Sequence, residues 1–228
     1  MRLLLFDIDG TLIRSHGAGR AVLSAAMKEV YGTAGPIDTY RFGGKTDRRI
    51  ISDLLTAAGL KKQEIDGKLT AVFETMTHMG REHFPTSGMT LCPGIERLLS
   101  AVLARPDAVV GLLTGNIEGT APLKLAAAGI DPAQFRLGAY GSDAADRNKL
   151  PALAMQRAAE ITNCTFIGAN TSIIGDTPAD ILCARAGQAT AVAVASGWHA
   201  RETLSKHHPD FLFDNLLDTN AVVEALFS

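Results

Sequence analysis

The spacing of apolar residues changes near residue 90 of the chain. Between about residues 17 and 88, apolar positions recur at helix-like intervals in segments that begin near Ala21, Ile50 and Leu69. Glycine-rich breaks at 31–36 and 41–47 separate these segments. We find no convincing strand pattern in this part of the chain and predict that it is helical throughout.

From Leu91 onward, short apolar runs alternate with helix-like segments. The runs have the length of strands and lie at 108–113, 135–139, 171–174, 189–195 and 211–213. The helix-like segments lie at 94–103, 119–128, 150–161, 179–186 and 220–226. Such alternation predicts a parallel sheet that is covered by helices on both faces.

The apolar run at residues 2–7 has the character of a further strand of this sheet, so the helical part interrupts the sheet after its first strand. We therefore predict an α/β fold, a Rossmann-like parallel sheet with helices on both faces plus an inserted all-helical cap domain. The predicted core domain is discontinuous and comprises residues 1–14 and 90–228, and the cap comprises residues 15–89. An insertion of this kind is more often a mobile lid than an independent domain.

Composition and charge exclude several classes of function. The 228 residues carry 22 basic and 24 acidic side chains, a net charge of −2, which gives no electrostatic case for binding nucleic acid or a membrane surface. No stretch approaches the ~18 apolar residues of a membrane span. The three cysteines are scattered and lack metal-site spacing, so we expect reduced thiols and a cytoplasmic location. Nothing in the sequence specifies an oligomeric state.

Two carboxylates stand at the end of the first predicted strand. In an extended chain Asp7 and Asp9 point to the same side, because side chains alternate with a period of two. At about 4 Å, with an effective dielectric constant of about 20, two such charges repel by roughly 4 kcal/mol. A divalent cation or a shared proton would offset this repulsion. The alternative is that Asp7 ends the strand and Asp9 with Gly10 forms a turn.

Polar clusters also follow two other predicted strands. Thr114-Gly115-Asn116 comes after the run at 108–113, and Gly175-Asp176-Thr177-Pro178-Ala179-Asp180 comes at the end of the run at 171–174. Each cluster alone could be a turn or a helix N-cap. Ligands of open parallel sheets bind at the carboxyl ends of strands, however, and three polar clusters at such ends favour a binding site.

These motifs resemble the haloacid dehalogenase-like hydrolase superfamily, and within it the phosphoglycolate-phosphatase-like branch. The D-x-D-G-T motif stands as Asp7-Ile8-Asp9-Gly10-Thr11, the Thr-ended strand as Leu113-Thr114, and G-D-x-x-x-D as 175–180. The third motif, a Lys that opens a helix, is the weakest match. Counting along the apolar face of the following helix favours Lys149, and Arg147 is the alternative.

The resemblance implies roles for individual residues. Asp7 would be the nucleophile that forms an aspartyl-phosphate, and Asp9 the general acid and then the general base, with a pKa raised in the complex. Thr114, the backbone N–H of Asn116 and Lys149 would hold the phosphoryl oxygens. Gly10 and Gly115 would permit close approach of the backbone to the phosphate.

The resemblance also implies a Mg²⁺ ion. Its ligands would be a carboxylate oxygen of Asp7, the backbone carbonyl of Asp9, and Asp176, with Asp180 bound directly or through water. In the cap, Lys45 and Arg49 would contact the non-reacting end of the substrate, although they could also be surface charges at a helix start. No role is assigned to His16, Trp198 or His199.

The predicted function is therefore that of a Mg²⁺-dependent phosphatase for a small phosphorylated metabolite, either phosphoglycolate-like or a sugar phosphate. The acid at position 9 disfavours dehalogenases and phosphonate-cleaving relatives, which lack it. Two alternatives remain, a phosphomutase of the same superfamily and a non-catalytic regulator that binds phosphate or metal. No motif acid is missing, which disfavours the second.

Overall fold

The computed structural model describes the whole chain, residues 1–228. Its strands are β1 (Arg2–Phe6), β2 (Ile13–Arg14), β3 (Thr90–Leu91), β4 (Ala108–Leu113), β5 (Gly138–Ala139), β6 (Thr171–Gly175), β7 (Thr190–Val194) and β8 (Phe211–Phe213). Its helices are α1 (Ala18–Tyr31), α2 (Asp47–Ala57), α3 (Lys62–Gly67), α4 (Leu69–His83), α5 (Ile95–Leu103), α6 (Ala121–Ala127), α7 (Leu150–Thr162), α8 (Pro178–Ala186), α9 (Arg201–Ser205) and α10 (Thr219–Phe227). Short 3-10 turns cover Phe84–Thr86, Pro132–Gln134, Arg147–Lys149 and Gly168–Asn170.

Six strands form one parallel sheet in the order β5-β4-β1-β6-β7-β8. β1 lies in its interior, with Leu5 opposite Gly111 on one side and Ile173 on the other. Leu4 and Phe6 of β1 belong to one buried cluster, whereas Leu3 and Leu5 belong to another. The alternation shows that both faces of the sheet are covered, which confirms the predicted Rossmann-like α/β fold.

The segment from α1 to α4, here called the helical block, contains helices and no strand. The predicted helices near Ala21, Ile50 and Leu69 are present, and α3 is an additional short helix. Apolar side chains of the block share one buried cluster with residues of the sheet, so the block packs directly on the sheet domain. Its treatment as a separate domain at residues 15–89 stays a prediction.

Two details differ from the sequence prediction. β5 has two residues instead of the five predicted at 135–139, because the N–H of Phe135 donates to the carbonyl of Pro132 and closes the 3-10 turn, so hydrogen bonds to β4 begin only at Arg136. The antiparallel pair of β2 and β3 was not predicted, since two-residue strands have too few positions to show a period. This pair lies where the chain leaves the sheet domain and returns to it.

No helix of the protein is both long enough and apolar enough to cross a membrane. The three cysteines are unpaired, as expected from their scattered positions.

Candidate active site

A cavity of about 650 Å³ lies between the carboxyl ends of the sheet strands and the helical block. Asp7 directly follows β1, Thr114 follows β4, and Asp176 follows β6, and all three line this cavity. The backbone N–H of Asp7 donates to the carbonyl of Ile174 at 2.9 Å, which extends the sheet register to the first acid. The three polar clusters of the sequence therefore meet at one edge of the sheet, as predicted.

Three buried carboxylates form the centre of the site. One oxygen each from Asp7, Asp176 and Asp180 lies within 4.8 Å of the others, and all three residues are at most 5% exposed. The cation among them is Arg147, whose Nη2 lies 2.6 Å from Oδ1 of Asp180 and 3.2 Å from Oδ1 of Asp7. One positive charge among three carboxylates leaves an excess of two negative charges when all are ionised, which a divalent cation would balance.

The pKa values of the carboxyl groups follow from this crowding. Burial raises the pKa of Asp7 to about 6, with Arg147 opposing the rise and the charges of Asp180 and Asp9 adding to it. Burial, followed by the charges of Asp180 and Asp7, raises the pKa of Asp176 well above its usual value. A group near 6 is still mostly ionised at pH 7, which a nucleophile requires.

Asp176 has the space that a metal ligand needs. Its carboxylate lies against Gly10, whose φ is +91°, and against Gly197, and a Cβ at either glycine would overlap it. Its only hydrogen bonds are long, 3.4 Å each, from the hydroxyl of Thr11 and the N–H of Trp198. The hard carboxylate oxygens of Asp7 and Asp176 therefore suit Mg²⁺.

Asp180 is more fully occupied. Its Oδ1 accepts from Arg147, and its Oδ2 accepts from the N–H of Thr177 at 3.0 Å and from the hydroxyl of Thr177 at 2.6 Å. Asp180 completes a capping box at the start of α8, which confirms its helix-cap interpretation, and it also faces the other two acids, so its role at a metal stays a prediction.

Asp9 lies in a different network. Its Oδ2 accepts from Nζ of Lys124 at 2.7 Å and from Nδ2 of Asn116 at 2.7 Å, and Lys124 also donates to Oδ1 of Asn116 at 2.6 Å. Burial acts to raise the pKa of Asp9, but the Lys124 charge and hydrogen bonds from Lys124, Ser15 and Asn116 outweigh it and lower the pKa. The protein's own groups thus do not supply the rise in the pKa of Asp9 that the resemblance implies.

The structure corrects the assignment of the third motif. Lys149 is exposed and does not line the cavity, whereas Arg147 is 7% exposed and contacts both Asp7 and Asp180. The physical reason is the 3-10 turn Arg147–Lys149 that precedes α7. In a 3-10 turn residues i and i+3 eclipse each other, so Arg147 shares the buried side with Leu150 and Lys149 is turned outward.

Thr114 and its neighbours line the cavity where the sheet domain meets the helical block. The Thr114 hydroxyl is buried and accepts from Nδ2 of Asn116 at 2.9 Å and from the N–H of Asn116 at 3.3 Å. Its own proton has no acceptor in the protein and can donate to a phosphoryl oxygen. Gly115 lies against the backbone carbonyl of Lys45, where a Cβ would not fit, so the predicted close approach at Gly115 includes the helical block.

The segment 41–47 of the helical block reaches the sheet domain. The hydroxyl of Thr46 donates to the carbonyl of Ala145 at 2.8 Å, and the N–H of Asp47 donates to the carbonyl of Gly115 at 2.7 Å. In return, the N–H of Ile117 donates to Oδ2 of Asp47 at 3.0 Å. The cavity is therefore closed on this side by three hydrogen bonds between the two parts of the chain.

Of the two predicted contacts in this region, one lines the cavity. Lys45 does so, with Nζ 3.9 Å above the ring of Tyr40. Arg49 does not: it is exposed and pairs with Asp53 at 2.7 Å along the surface of α2. The structure thus places Arg49 outside the cavity, because its guanidinium pairs with Asp53 one turn further along α2.

Further residues line the cavity that the sequence motifs do not indicate. Arg20 and Arg41 line the cavity and, like Lys45, have no acidic partner. Arg20 donates to the carbonyl of Tyr40 at 2.9 Å and lies 4.0 Å from the ring centroid of Phe42. Trp198 and His199, to which no role was assigned, also line the cavity.

Lys124 was also missed, although the sequence holds a signal for it. Ala121, Lys124 and Leu125 form the buried side of α6, so the lysine occupies a position where the helical period calls for an apolar residue.

Comparison with known proteins gives a family-model match over part of the chain and a fold match over nearly all of it. The family model described as HAD-hydrolase-like matches residues 147–219. No curated protein sequence matches the chain.

Solved structures match the full fold. A hydrolase from Pseudomonas syringae is 19% identical, with a TM-score of 0.71 and 100% of each chain covered. A predicted phosphoglycolate phosphatase from Haemophilus somnus is 20% identical, with a TM-score of 0.69 and 98% of each chain covered. A putative β-phosphoglucomutase from Bacteroides vulgatus is 19% identical, with a TM-score of 0.67, 99% of this chain and 88% of that chain covered. These matches show the fold of the chain, and the family-model match at residues 147–219 agrees with the resemblance predicted from the motifs.

Proposed function

We propose, starting from the haloacid dehalogenase-like hydrolase fold of this chain, that it is a phosphatase which hydrolyses a small phosphorylated metabolite with Mg²⁺ bound. The observation that carries the proposal is the cluster of Asp7, Asp176 and Asp180 around Arg147, of which Asp7, Asp176 and Arg147 line the cavity. Three buried acids with one cation form a poor site for anything but a further cation. Asp9 and Thr114 line the same cavity and would supply the acid and the hydroxyl group that phosphoryl transfer also needs.

In the first step, a carboxylate oxygen of Asp7 attacks phosphorus and the bond from phosphorus to the alkoxide oxygen breaks. Asp9 donates a proton to that oxygen, so the leaving group departs as an alcohol. In the second step, Asp9 takes a proton from water while the water oxygen bonds to phosphorus and the aspartyl-phosphate bond breaks. Inorganic phosphate is released, and both acids return to their starting states.

The phosphoryl oxygens need positive partners in both steps. Thr114 offers a free hydroxyl proton, and Arg147 lies beside the nucleophile. Mg²⁺ held by Asp7 and Asp176 would neutralise the repulsion between the attacking carboxylate and the phosphate. Arg147 also keeps the pKa of Asp7 from rising further, which preserves its ionised form near neutral pH.

The cavity also indicates the kind of substrate. Its helical-block side carries Arg20, Arg41 and Lys45, none of which has an acidic partner, so these charges suit an anionic group at the end of the substrate far from the reacting phosphate. We therefore expect esters that carry a second anion, such as phosphoglycolate or a sugar bisphosphate, to be better substrates than neutral-ended ones. A cytoplasmic location, predicted from the scattered reduced cysteines, stays part of this proposal.

A phosphomutase would use the same acids and pass the phosphoryl group to a sugar hydroxyl. The structural likeness to a putative β-phosphoglucomutase supports phosphomutase as the second candidate function. Isomer formed without free phosphate would identify a mutase, whereas release of phosphate identifies a phosphatase.

The test is phosphate release by the purified protein with Mg²⁺, first from p-nitrophenyl phosphate and then from phosphoglycolate, sugar phosphates and nucleoside monophosphates. Asp7→Asn and addition of EDTA should each abolish turnover. Asp38→Asn, at an exposed acid outside the cavity, is the matched control and should leave it unchanged. Activity that survives Asp7→Asn would show that the nucleophile is wrong, and no release from any substrate would refute the proposed function.

A further inference from the structure

Lys124 carries a buried ammonium group to which the proposed reaction assigns no role. It is 4% exposed and lines the cavity from α6. Its Nζ has two hydrogen-bond partners, Oδ2 of Asp9 and Oδ1 of Asn116. Burying an ammonium group costs several kcal/mol unless it is paired, so the contact with Asp9 is what allows Lys124 to lie in the interior.

The contact divides the two oxygens of Asp9. Oδ2 accepts from Lys124 and from Asn116, at 2.7 Å each. Oδ1 is buried and has no hydrogen-bond partner in the protein. The carboxylate is therefore anchored through Oδ2. Oδ1 has no hydrogen-bond donor from the protein and can carry the proton that the reaction transfers.

The helical block covers this anchor. A Cβ added to Gly19 of α1 would lie 2.8 Å from Nζ of Lys124, so the absence of a side chain at position 19 makes room for the ammonium group. Lys124 consequently sits between Asp9 of the sheet domain and the first turn of α1, where it is shielded from water.

We propose that Lys124 is a positioning residue: together with Asn116 it fixes the side chain of Asp9 so that Oδ1 meets the oxygen of the leaving group. This inference rests on the proposed phosphatase function and deepens it. Lys124 does not touch the reacting atoms. Its effect is to hold the acid in the one orientation from which a proton can be delivered as the bond from phosphorus to oxygen breaks.

Leaving groups of different basicity test the inference. An alkoxide needs a proton as it departs, whereas p-nitrophenolate leaves without one. The value of kcat/KM reports steps up to the first irreversible one, release of the alcohol, so it isolates the acid step from later hydrolysis of the aspartyl-phosphate. We expect Lys124→Met to lower kcat/KM about 100-fold or more for an alkyl phosphate and less than about 10-fold for p-nitrophenyl phosphate.

Two further variants keep the test sharp. Gly19→Ala retains the lysine and crowds its Nζ, and it should shift the same substrate ratio by several-fold in the same direction. Asp9→Asn combined with Lys124→Met should lose no more alkyl phosphate activity than Asp9→Asn alone, since the two residues act as one unit. Lys206→Met, at an exposed lysine, is the matched control, and thermal unfolding confirms that each variant folds.

Equal losses on both substrates would overturn the inference, because a structural or phosphate-binding role of Lys124 weakens both reactions alike. A wild-type protein that releases no phosphate from any substrate would instead refute the proposed function, and the inference with it. The two failures are therefore distinguished by the wild-type measurement alone.

Discussion

Replacing Arg147 by methionine tests the electrostatics of the site most directly. The change keeps much of the side-chain volume and removes the cation that lies 2.6 Å from Asp180 and 3.2 Å from Asp7. Breaking a buried ion pair by removing one partner costs about 3–5 kcal/mol. For a chain of this length, each kcal/mol lowers the melting temperature by roughly 2–4 °C, so we expect a decrease of roughly 10 °C.

The loss should also depend on pH in a defined direction. The pKa of Asp7 is already raised to about 6, and Arg147 opposes that rise, so the variant has a still higher pKa. A raised folded-state pKa means that the folded protein holds protons which the unfolded chain releases, and stability then falls as pH rises from about 4 through the folded pKa. The Arg147→Met variant should therefore lose more stability at pH 7 than at pH 5.

The assay is urea denaturation of the metal-free protein, in EDTA, at both pH values. Lys149→Met is the matched control, because Lys149 is exposed and two residues away, and it should change stability by less than about 0.5 kcal/mol. Equal effects of the two substitutions, or a loss that does not grow between pH 5 and pH 7, would refute the placement of Arg147 among the carboxylates.

Three further predictions concern the metal, the turn and the cavity wall. Mg²⁺ should raise the melting temperature more at pH 7 than at pH 5, since protons compete for acids with raised pKa values, and Asp176→Asn should remove this gain; an unchanged gain would contradict the metal site. Gly10→Ala should destabilise the protein by about 1–3 kcal/mol in urea denaturation, because φ is +91° and a Cβ overlaps Asp176; no loss would contradict that contact. In steady-state kinetics Lys45→Ala should raise KM with little change in kcat, whereas Arg49→Ala should change neither; the reverse pattern would restore the original assignment of Arg49.

The sheet was predictable because its strands are buried on both faces. β4 begins and ends where the apolar run at 108–113 does, since a central parallel strand has to be apolar at every position. The edge strand β8 also coincides with its apolar run at 211–213. The run at 135–139 shows the limit of this reasoning. Residues 136–137 still hydrogen-bond to β4, since the N–H of Arg136 donates to the carbonyl of Val110 and the N–H of Leu112 donates to the carbonyl of Leu137, both at 3.0 Å. Hydropathy shows that Phe135 is buried but does not show where the strand begins.

The candidate site was predictable as far as motif acids follow strand ends. Asp7, Asp9, Thr114 and Asp176 line one cavity because parallel strands bring their carboxyl ends to one edge. The cations were harder to place. Counting with the α-helical period favours Lys149, but the turn at Arg147–Lys149 is a 3-10 turn, so the count fails there. The contact between Lys124 and Asp9 joins residues that are 115 positions apart, which no local pattern shows.

The two-residue pair of β2 and β3 has a consequence for how such a chain can change over time. Ile13 lies opposite Leu91, so the helical block enters and leaves the sheet domain at neighbouring points of one short ladder. A segment attached in this way can be lengthened, shortened or exchanged without altering the order of the six parallel strands. Under the proposed function, the strand ends that carry the chemistry and the inserted helices that contact the substrate are therefore separate parts of the sequence, and each can change by its own substitutions.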